Sequence, residues 1–254
     1  MIAAALGLSR VQLYVQFDRP LDAAELGVIR EHVRRRQAGE SVAYVVGHKE
    51  FFGLEFTVDR RVLVPRPDTE TLVDEALARL RERAAETPPR IVDVGTGSGA
   101  IIVTLGQQRP DATLFAVDFS AEALDVARAN AARHAVTVTF LEGDLTGPLG
   151  PHAPFDLIVA NLPYVPSGDL AGLAPEVRAE PIVALDGGAD GLDHVRRLIA
   201  ASSPLLASGG ALLLEVGAGQ ATRTVALCEA AGFVDARLRR DLGAVDRVVS
   251  VVKP

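Results

Sequence analysis

Asn161-Leu162-Pro163-Tyr164 is the stretch of this chain whose residue types could do chemistry together. The Asn amide carries an acceptor oxygen and a donor nitrogen on one plane. Pro163 pushes Leu162 towards extended geometry, and Tyr164 brings a flat ring with a polar end. The set suits a planar –NH2 group. The Asn161 oxygen accepts one N–H, a backbone carbonyl of the turn, that of Leu162, accepts the other, and Tyr164 covers the flat face and excludes water. Two acceptors fix the nitrogen's orientation and favour the charge that develops on it. An amide nitrogen is a poor nucleophile because its lone pair is delocalised, so aiming it is the main requirement. No strong general base is needed first, since the nitrogen becomes acidic once alkylated.

The tetrapeptide follows the apolar run Phe155 to Ala160, which reads as a buried parallel strand. It therefore falls at a strand's carboxyl end, where open α/β sheets bind ligands. A second ligand element lies upstream. Gly95-Thr96-Gly97-Ser98-Gly99 joins the strand-like Ile91-Val92-Asp93-Val94 to a helix through Ile101, Ile102 and Leu105. Glycines there allow a tight turn and close approach of backbone to a ligand. With Ala100 the loop also satisfies G-x-G-x-x-A, so nucleotides and NAD stay open as ligands. Asp118 ends the next strand, where an acid can accept from ribose hydroxyls; a helix cap is its plainer reading. Asp144, ending the third strand, could accept from an adenine amino group and Leu145 could pack on the base, or the pair forms an ordinary polar turn.

The elements that position these residues can be read in order. Asp22 caps a helix with Leu26, Ile29 and Val33 on one stripe, ended by Arg34, Arg35 and Arg36. Those arginines are a solvated helix end or a contact for a charged partner. A hairpin is expected across residues 51–64, bracketing Asp59-Arg60. Asp68 or Thr69 caps a helix to about Ala84, and Thr87-Pro88-Pro89 cannot continue it. From Arg90 strands and helices alternate: strands at 91–94, 113–117, 136–140, 155–160 and 211–216, helices at 120–134, 192–206 and 220–231. The final candidates, 233–239 and 247–252, pair antiparallel through a short connection. The fold class is α/β, a seven-stranded, mostly parallel Rossmann-like sheet with the last strands antiparallel, plus a small N-terminal helical region and a β-hairpin. The expected division is 1–50 for the helical region, 51–66 for the hairpin linker and 67–254 for the sheet domain.

Taken together, the motifs resemble class I S-adenosylmethionine-dependent methyltransferases, and more narrowly the release-factor glutamine methyltransferases of HemK type. The resemblance runs through Ala43 to Gly53, Pro65 to Glu70, Asp93 to Gly99, the tetrapeptide, Ala184 to Gly188 with Asp190-Gly191-Leu192, and Asp241-Leu242-Gly243 with Asp246-Arg247. It implies that Gly95, Thr96, Gly97, Ser98, Gly99 and Asp118 bind S-adenosylmethionine, that Leu145 flanks its adenine with Asp144 beside it, and that S-adenosylhomocysteine is the product. It implies that Asn161 to Tyr164, with Asn161 also beside the donor, hold the glutamine of the Gly-Gly-Gln loop of peptide chain release factors. The N-terminal region and hairpin would grip the release factor, with Arg66 and Glu70 shaping the cleft. Leu162 stands where the family more often has proline, and the helical region before Ser41 is shorter than the family leads one to expect.

Composition narrows the rest. Among 254 residues there is one cysteine, Cys228, in an apolar helix-like run, so it reads as a core residue in a reducing compartment. The net charge of −7 weighs against a dedicated nucleic-acid binder. Nothing approaches the roughly 20 apolar residues of a membrane span. The expectation is a cytoplasmic monomer with no membrane or direct nucleic-acid partner and no metal. Rival readings are a ribosomal-protein glutamine methyltransferase, an adenine-specific DNA methyltransferase, which must also flip a base, an NAD-binding dehydrogenase and a non-catalytic nucleotide-binding module.

Overall fold

A computed structural model describes residues 1–82 and 87–254 of the chain. The N-terminal part consists of helices α1 (Ile2–Ala5), α2 (Arg10–Val15), α3 (Ala23–Gln37) and α4 (Val42–Val46), then a hairpin of β1 (His48–Phe51) and β2 (Leu54–Thr57). Asp22 and Glu25 form a reciprocal capping box that starts α3. The three arginines that end α3 are tied internally. Arg34 pairs with Glu31, Arg35 with Glu40 and the carbonyls of Tyr44 and Val45, and Arg36 with Glu176.

The hairpin turns at Phe52-Gly53, not at Asp59-Arg60. Phe52 and Gly53 both take positive φ, a turn that register His48↔Thr57 to Phe51↔Leu54 requires. Residues 58–66 form no strand: the chain turns at Asp59–Val62, where the Val62 amide donates to the Asp59 carbonyl, and lies on the sheet domain, with Val58, Val62 and Val64 buried with Tyr44 and with Ala123 and Val126 of a later helix. Asp68 and Thr69 do not cap the next helix directly. They lie in a single 3-10 turn, Pro67–Thr69, ahead of α5 (Glu70–Glu82). The expected end of that helix near Ala84 lies outside the described residues.

Then follow β3 (Arg90–Val94), α6 (Ala100–Gln108), β4 (Thr113–Asp118), α7 (Ala121–Arg133), β5 (Thr139–Glu142), β6 (Phe155–Ala160), α8 (Pro175–Arg178), α9 (Asp193–Ser202), β7 (Leu206–Glu215), α10 (Ala221–Ala230), β8 (Val234–Arg240) and β9 (Asp246–Val252). Among the described residues seven strands form one sheet in the order β5-β4-β3-β6-β7-β9-β8. The first five are mutually parallel, and β9 is antiparallel to both β7 and β8.

The sheet is buried on both faces, which is why its central strands read as unbroken apolar runs. On one face Val92, Ile158, Leu212 and Leu214 pack against Val195, Leu198 and Ile199 of α9 and Cys228 of α10. On the other, Ile91, Leu157, Val159 and Leu213 meet Leu72, Val73, Ala76 and Leu80 of α5 and Ile102 and Leu105 of α6. The order runs outward from β3 to β4 and β5 on one side, and from β6 to β7 on the other. The β3/β6 seam is therefore the topological switch point, and its carboxyl end is where a ligand crevice forms. Among the described residues no helix is long and apolar enough to cross a membrane.

Candidate functional site

The glycine loop leaves β3 at the switch point. The amides of Gly95 and Thr96 donate to the Val117 carbonyl at 2.8 and 3.0 Å, binding the loop to the end of β4. Gly95 has φ +77°, and a Cβ there would stand 3.0 Å from a Leu162 methyl, so the position excludes side chains twice over. Asp118 receives the Gly97 amide on one oxygen at 2.8 Å and the Ser120 amide on the other at 3.0 Å. Burial raises its carboxyl, and those amides oppose the shift. The cap of α7 is Ser120, whose hydroxyl accepts from the Ala123 amide. Asp93, fully buried beneath the loop, accepts from the Thr96 hydroxyl at 2.7 Å on one oxygen and has no partner on the other. Burial pushes it up to about 7.

Asn130 of α7 braces the loop from outside. Its amide nitrogen donates to the carbonyls of Ser98 (2.9 Å) and Thr57 (3.0 Å), and its oxygen accepts from the Thr57 amide (2.8 Å). One buried side chain thus joins the glycine loop, α7 and the hairpin. Nothing in the sequence marks it, because an Asn on an amphipathic helix ordinarily faces solvent.

Asn161 emerges one residue beyond β6, beside the glycine loop. Its amide nitrogen donates to the Thr69 hydroxyl at 3.2 Å. Leu162 is 4 % exposed, its side chain packed over Gly95 and into the core. Where a proline ring would restrict φ, this chain anchors the backbone by burying the side chain instead. Behind the turn, Gly187 and Gly191 approach its backbone: a Cβ at Gly187 would lie 2.8 Å from the Pro163 carbonyl oxygen, and one at Gly191 2.2 Å from that of Tyr164. Gln220 accepts from the Gly217 amide and donates to the Tyr164 carbonyl at 2.9 Å, closing the support. Glu215, the residue ending β7, is 1 % exposed beside Asn161.

A cavity of about 310 Å3 opens over these elements. Gly95, Thr96, Gly97, Ser98, Asp118, Asp144, Leu145, Asn161, Leu162 and Pro163 all line it. Gly99 and Tyr164 do not. Gly99 starts α6 against Ala127, and the Tyr164 ring packs by Gly217, where burial pushes its hydroxyl up from the usual phenol range. The Asp144 carboxylate pairs with Arg197. Sequence reasoning missed Phe119, Val183 and Thr69 in the wall. Phe119, 58 % exposed directly after Asp118, was recoverable as an aromatic residue following a strand-end acid. Arg66 also lines the cavity and pairs at 2.5 Å with Glu180, whose other oxygen accepts from the Val64 amide. Glu70 accepts from the Phe52 amide at 2.8 Å and so fixes the hairpin turn.

The chain is similar to known proteins along its length. Residues 1–47 match the family described as the PrmC N-terminal domain, and residues 91–180 match the methyltransferase domain. A release factor glutamine methyltransferase of Geobacter sulfurreducens is 46% identical over 98% of this chain and 86% of its own length. One of Bradyrhizobium diazoefficiens is 44% identical over the whole chain and 86% of its own length. Among solved structures, a ribosomal protein L11 methylase of Lactobacillus delbrueckii subsp. bulgaricus superposes with TM-score 0.56 at 20% identity, covering 78% of this chain and 84% of that one. A methyltransferase of Pyrococcus furiosus superposes with TM-score 0.57 at 16% identity, covering 89% and 98%. At those identities the structures speak for the fold.

Proposed function

Since the chain belongs to the release factor glutamine methyltransferase family, we propose that it methylates the side-chain amide nitrogen of the glutamine in the Gly-Gly-Gln loop of peptide chain release factors, with S-adenosylmethionine as donor. The observation that carries this reading is the placement of Asn161. Its nitrogen is tied back to Thr69, which leaves its oxygen as the acceptor at a cavity shared with the glycine loop.

The cavity suits the donor in kind. The loop presents backbone with no side chain at Gly95 and Gly97, and Asp118 stands in the wall with lone pairs beyond the two its amides use. Asp118 would take the ribose hydroxyls. Leu145 and Phe119 would enclose the adenine, with Asp144 at its edge. Gly99 supports the cradle from behind by starting α6. The donor supplies an electrophilic methyl carbon, whose bond to sulfur breaks with both electrons on sulfur as the nitrogen–carbon bond forms.

The remaining work falls to the tetrapeptide. Asn161 Oδ1 and the Leu162 carbonyl accept the two N–H groups of the substrate amide and aim its lone pair. As positive charge grows on that nitrogen, both acceptors bind it more strongly than they bind the neutral amide, which lowers the barrier. The alkylated nitrogen then sheds a proton to water. Tyr164 and Pro163 hold the turn in shape, braced by Gly187, Gly191 and Gln220. The N-terminal helices and hairpin form the grip for the release factor, which acts in the cytoplasm.

The test incubates the protein with S-adenosylmethionine and a release factor, then maps the methylated peptide by mass spectrometry. Methyl transfer to the Gly-Gly-Gln glutamine is expected. Transfer that persists when that glutamine is replaced by alanine would overturn the substrate assignment, and modification of a ribosomal protein alone would redirect it.

A further inference from the structure

Glu215 breaks the pattern of the strand it ends. Ala211 to Leu214 are apolar and buried, and the carboxylate comes last, equally buried. Strand register explains its position. Ala160 of β6 faces Leu214 of β7, so the next residues along, Asn161 and Glu215, are neighbours across parallel strands. The Thr69 and Asn161 side chains, themselves joined by the Asn161 nitrogen's hydrogen bond to the Thr69 hydroxyl at 3.2 Å, lie by the carboxylate and favour its charged form, while its Oε2 has no partner. A buried carboxylate with an unsatisfied oxygen destabilises a fold, and such groups gather where chemistry needs them.

We infer that Glu215 is a positioning residue, whose ionised carboxylate turns the Asn161 amide so that Oδ1 meets the substrate nitrogen. This rests on the reading of Asn161 as the clamp for the substrate amide. An Asn amide can sit either way round in one pocket, and only one way presents an acceptor to an incoming –NH2. An ionised carboxylate accepts only, so it draws the Asn161 nitrogen towards itself and Thr69. A protonated Glu215 carries an O–H that donates, and Asn161 Oδ1 is the acceptor beside it. The amide would then turn and set –NH2 against –NH2. The negative charge also deepens the partial charge on Oδ1 by polarising the amide, an effect strengthened in a dry site.

The groups facing the carboxylate come from each surrounding element: Asp68 and Thr69 ahead of α5, Asn161 and Tyr164 after β6, and Arg247 of β9. Arg247 favours the ionised form and Asp68 opposes it, while burial pushes the carboxyl up to about 7. The switch between the two Asn161 orientations therefore falls at near-neutral pH.

The test follows the Asn161 side-chain amide resonance by 15N NMR, assigned from its loss in Asn161→Ala. In the wild-type protein the signal should shift with a midpoint near pH 7, and in Glu215→Gln it should stay fixed. In the methylation assay, wild-type kcat should fall tenfold per pH unit below that midpoint. In Glu215→Gln it should lie about 10- to 100-fold lower, as for loss of a charge-assisted hydrogen bond, and be flat with pH, while calorimetric donor affinity stays within about threefold. A resonance indifferent to pH would overturn the inference, as would a variant with wild-type kcat and pH profile. If the variant fails to fold, the wild-type titration decides alone. A titrating resonance in a protein that does not methylate release factors would sink the substrate reading and leave the Glu215–Asn161 coupling standing.

Discussion

Asn130→Ala is the sharpest perturbation of the donor loop that leaves the loop's own sequence intact. The side chain is fully buried and makes three hydrogen bonds, two to carbonyls of Thr57 and Ser98 and one from the Thr57 amide. At roughly 1 kcal/mol each, their loss should cost about 3 kcal/mol, or about 6–12 °C in Tm for a chain of this size. Urea unfolding should show a lower midpoint at unchanged slope. Calorimetry should show weaker S-adenosylmethionine binding, because the Ser98 carbonyl is no longer restrained. Asn130→Asp separates hydrogen bonding from shape. It keeps the outline and the acceptor for Thr57 but sets a carboxylate oxygen against two carbonyls, so it should destabilise at least as much as alanine. A loss below about 1 kcal/mol for alanine, or a neutral aspartate, would refute the bracing role.

Asn161→Ala should abolish methyl transfer while leaving the donor dissociation constant within about threefold, as expected for a group that acts on the reacting nitrogen; parallel loss of both in calorimetry and assay would make Asn161 structural. Glu215→Gln should raise stability in alkaline buffer. The folded carboxyl titrates near 7 against an ordinary 4.5, so its contribution falls as pH rises between those values and stays lost above them. Urea midpoints should therefore favour the variant by up to about 3 kcal/mol at pH 8 and give no such gain at pH 4; equal midpoints throughout would contradict it. Gly191→Ala should depress kcat and stability together, since its Cβ would meet the Tyr164 carbonyl at 2.2 Å in a backbone with φ +77°. Strain and overpacking each cost about 1–3 kcal/mol, and an alanine variant with wild-type Tm would show that the backbone there yields freely.

Much of the sheet was legible because burial on both faces writes itself as apolar runs, and the glycine loop and Asn161 follow from their places at strand ends. The lateral order was less so. Sequence alone placed β9 after β8 but gave no reason for it to sit between β7 and β8. The hairpin was misplaced by several residues because Val62 and Val64 look like a strand, yet their burial comes from packing on α7 rather than from pairing. Asn130, Gln220 and Thr69 stayed hidden for a common reason: each is a polar residue whose partner lies on another element, and nothing local betrays that. Glu215 did carry a signal, a charge closing an all-apolar strand. The shared part played by Gly187 and Gly191 emerged only once the Pro163 and Tyr164 backbone was seen pressed against them.

The position of β9 bears on how the protein comes into being during translation. Its residues Val248, Val249 and Val251 are buried, it is flanked on both sides, and it pairs with β7 from Ala211↔Val252 to Glu215↔Val248. A nascent chain that has reached only Val245 has all the ligand-cavity residues, yet β7 has an open edge and Glu215 lacks the Arg247 charge that favours its ionised form. An exposed edge of that kind invites pairing with another chain. A chain stopped there is therefore expected to present β7 as an unpaired edge, open to aggregation, until the last strand is made.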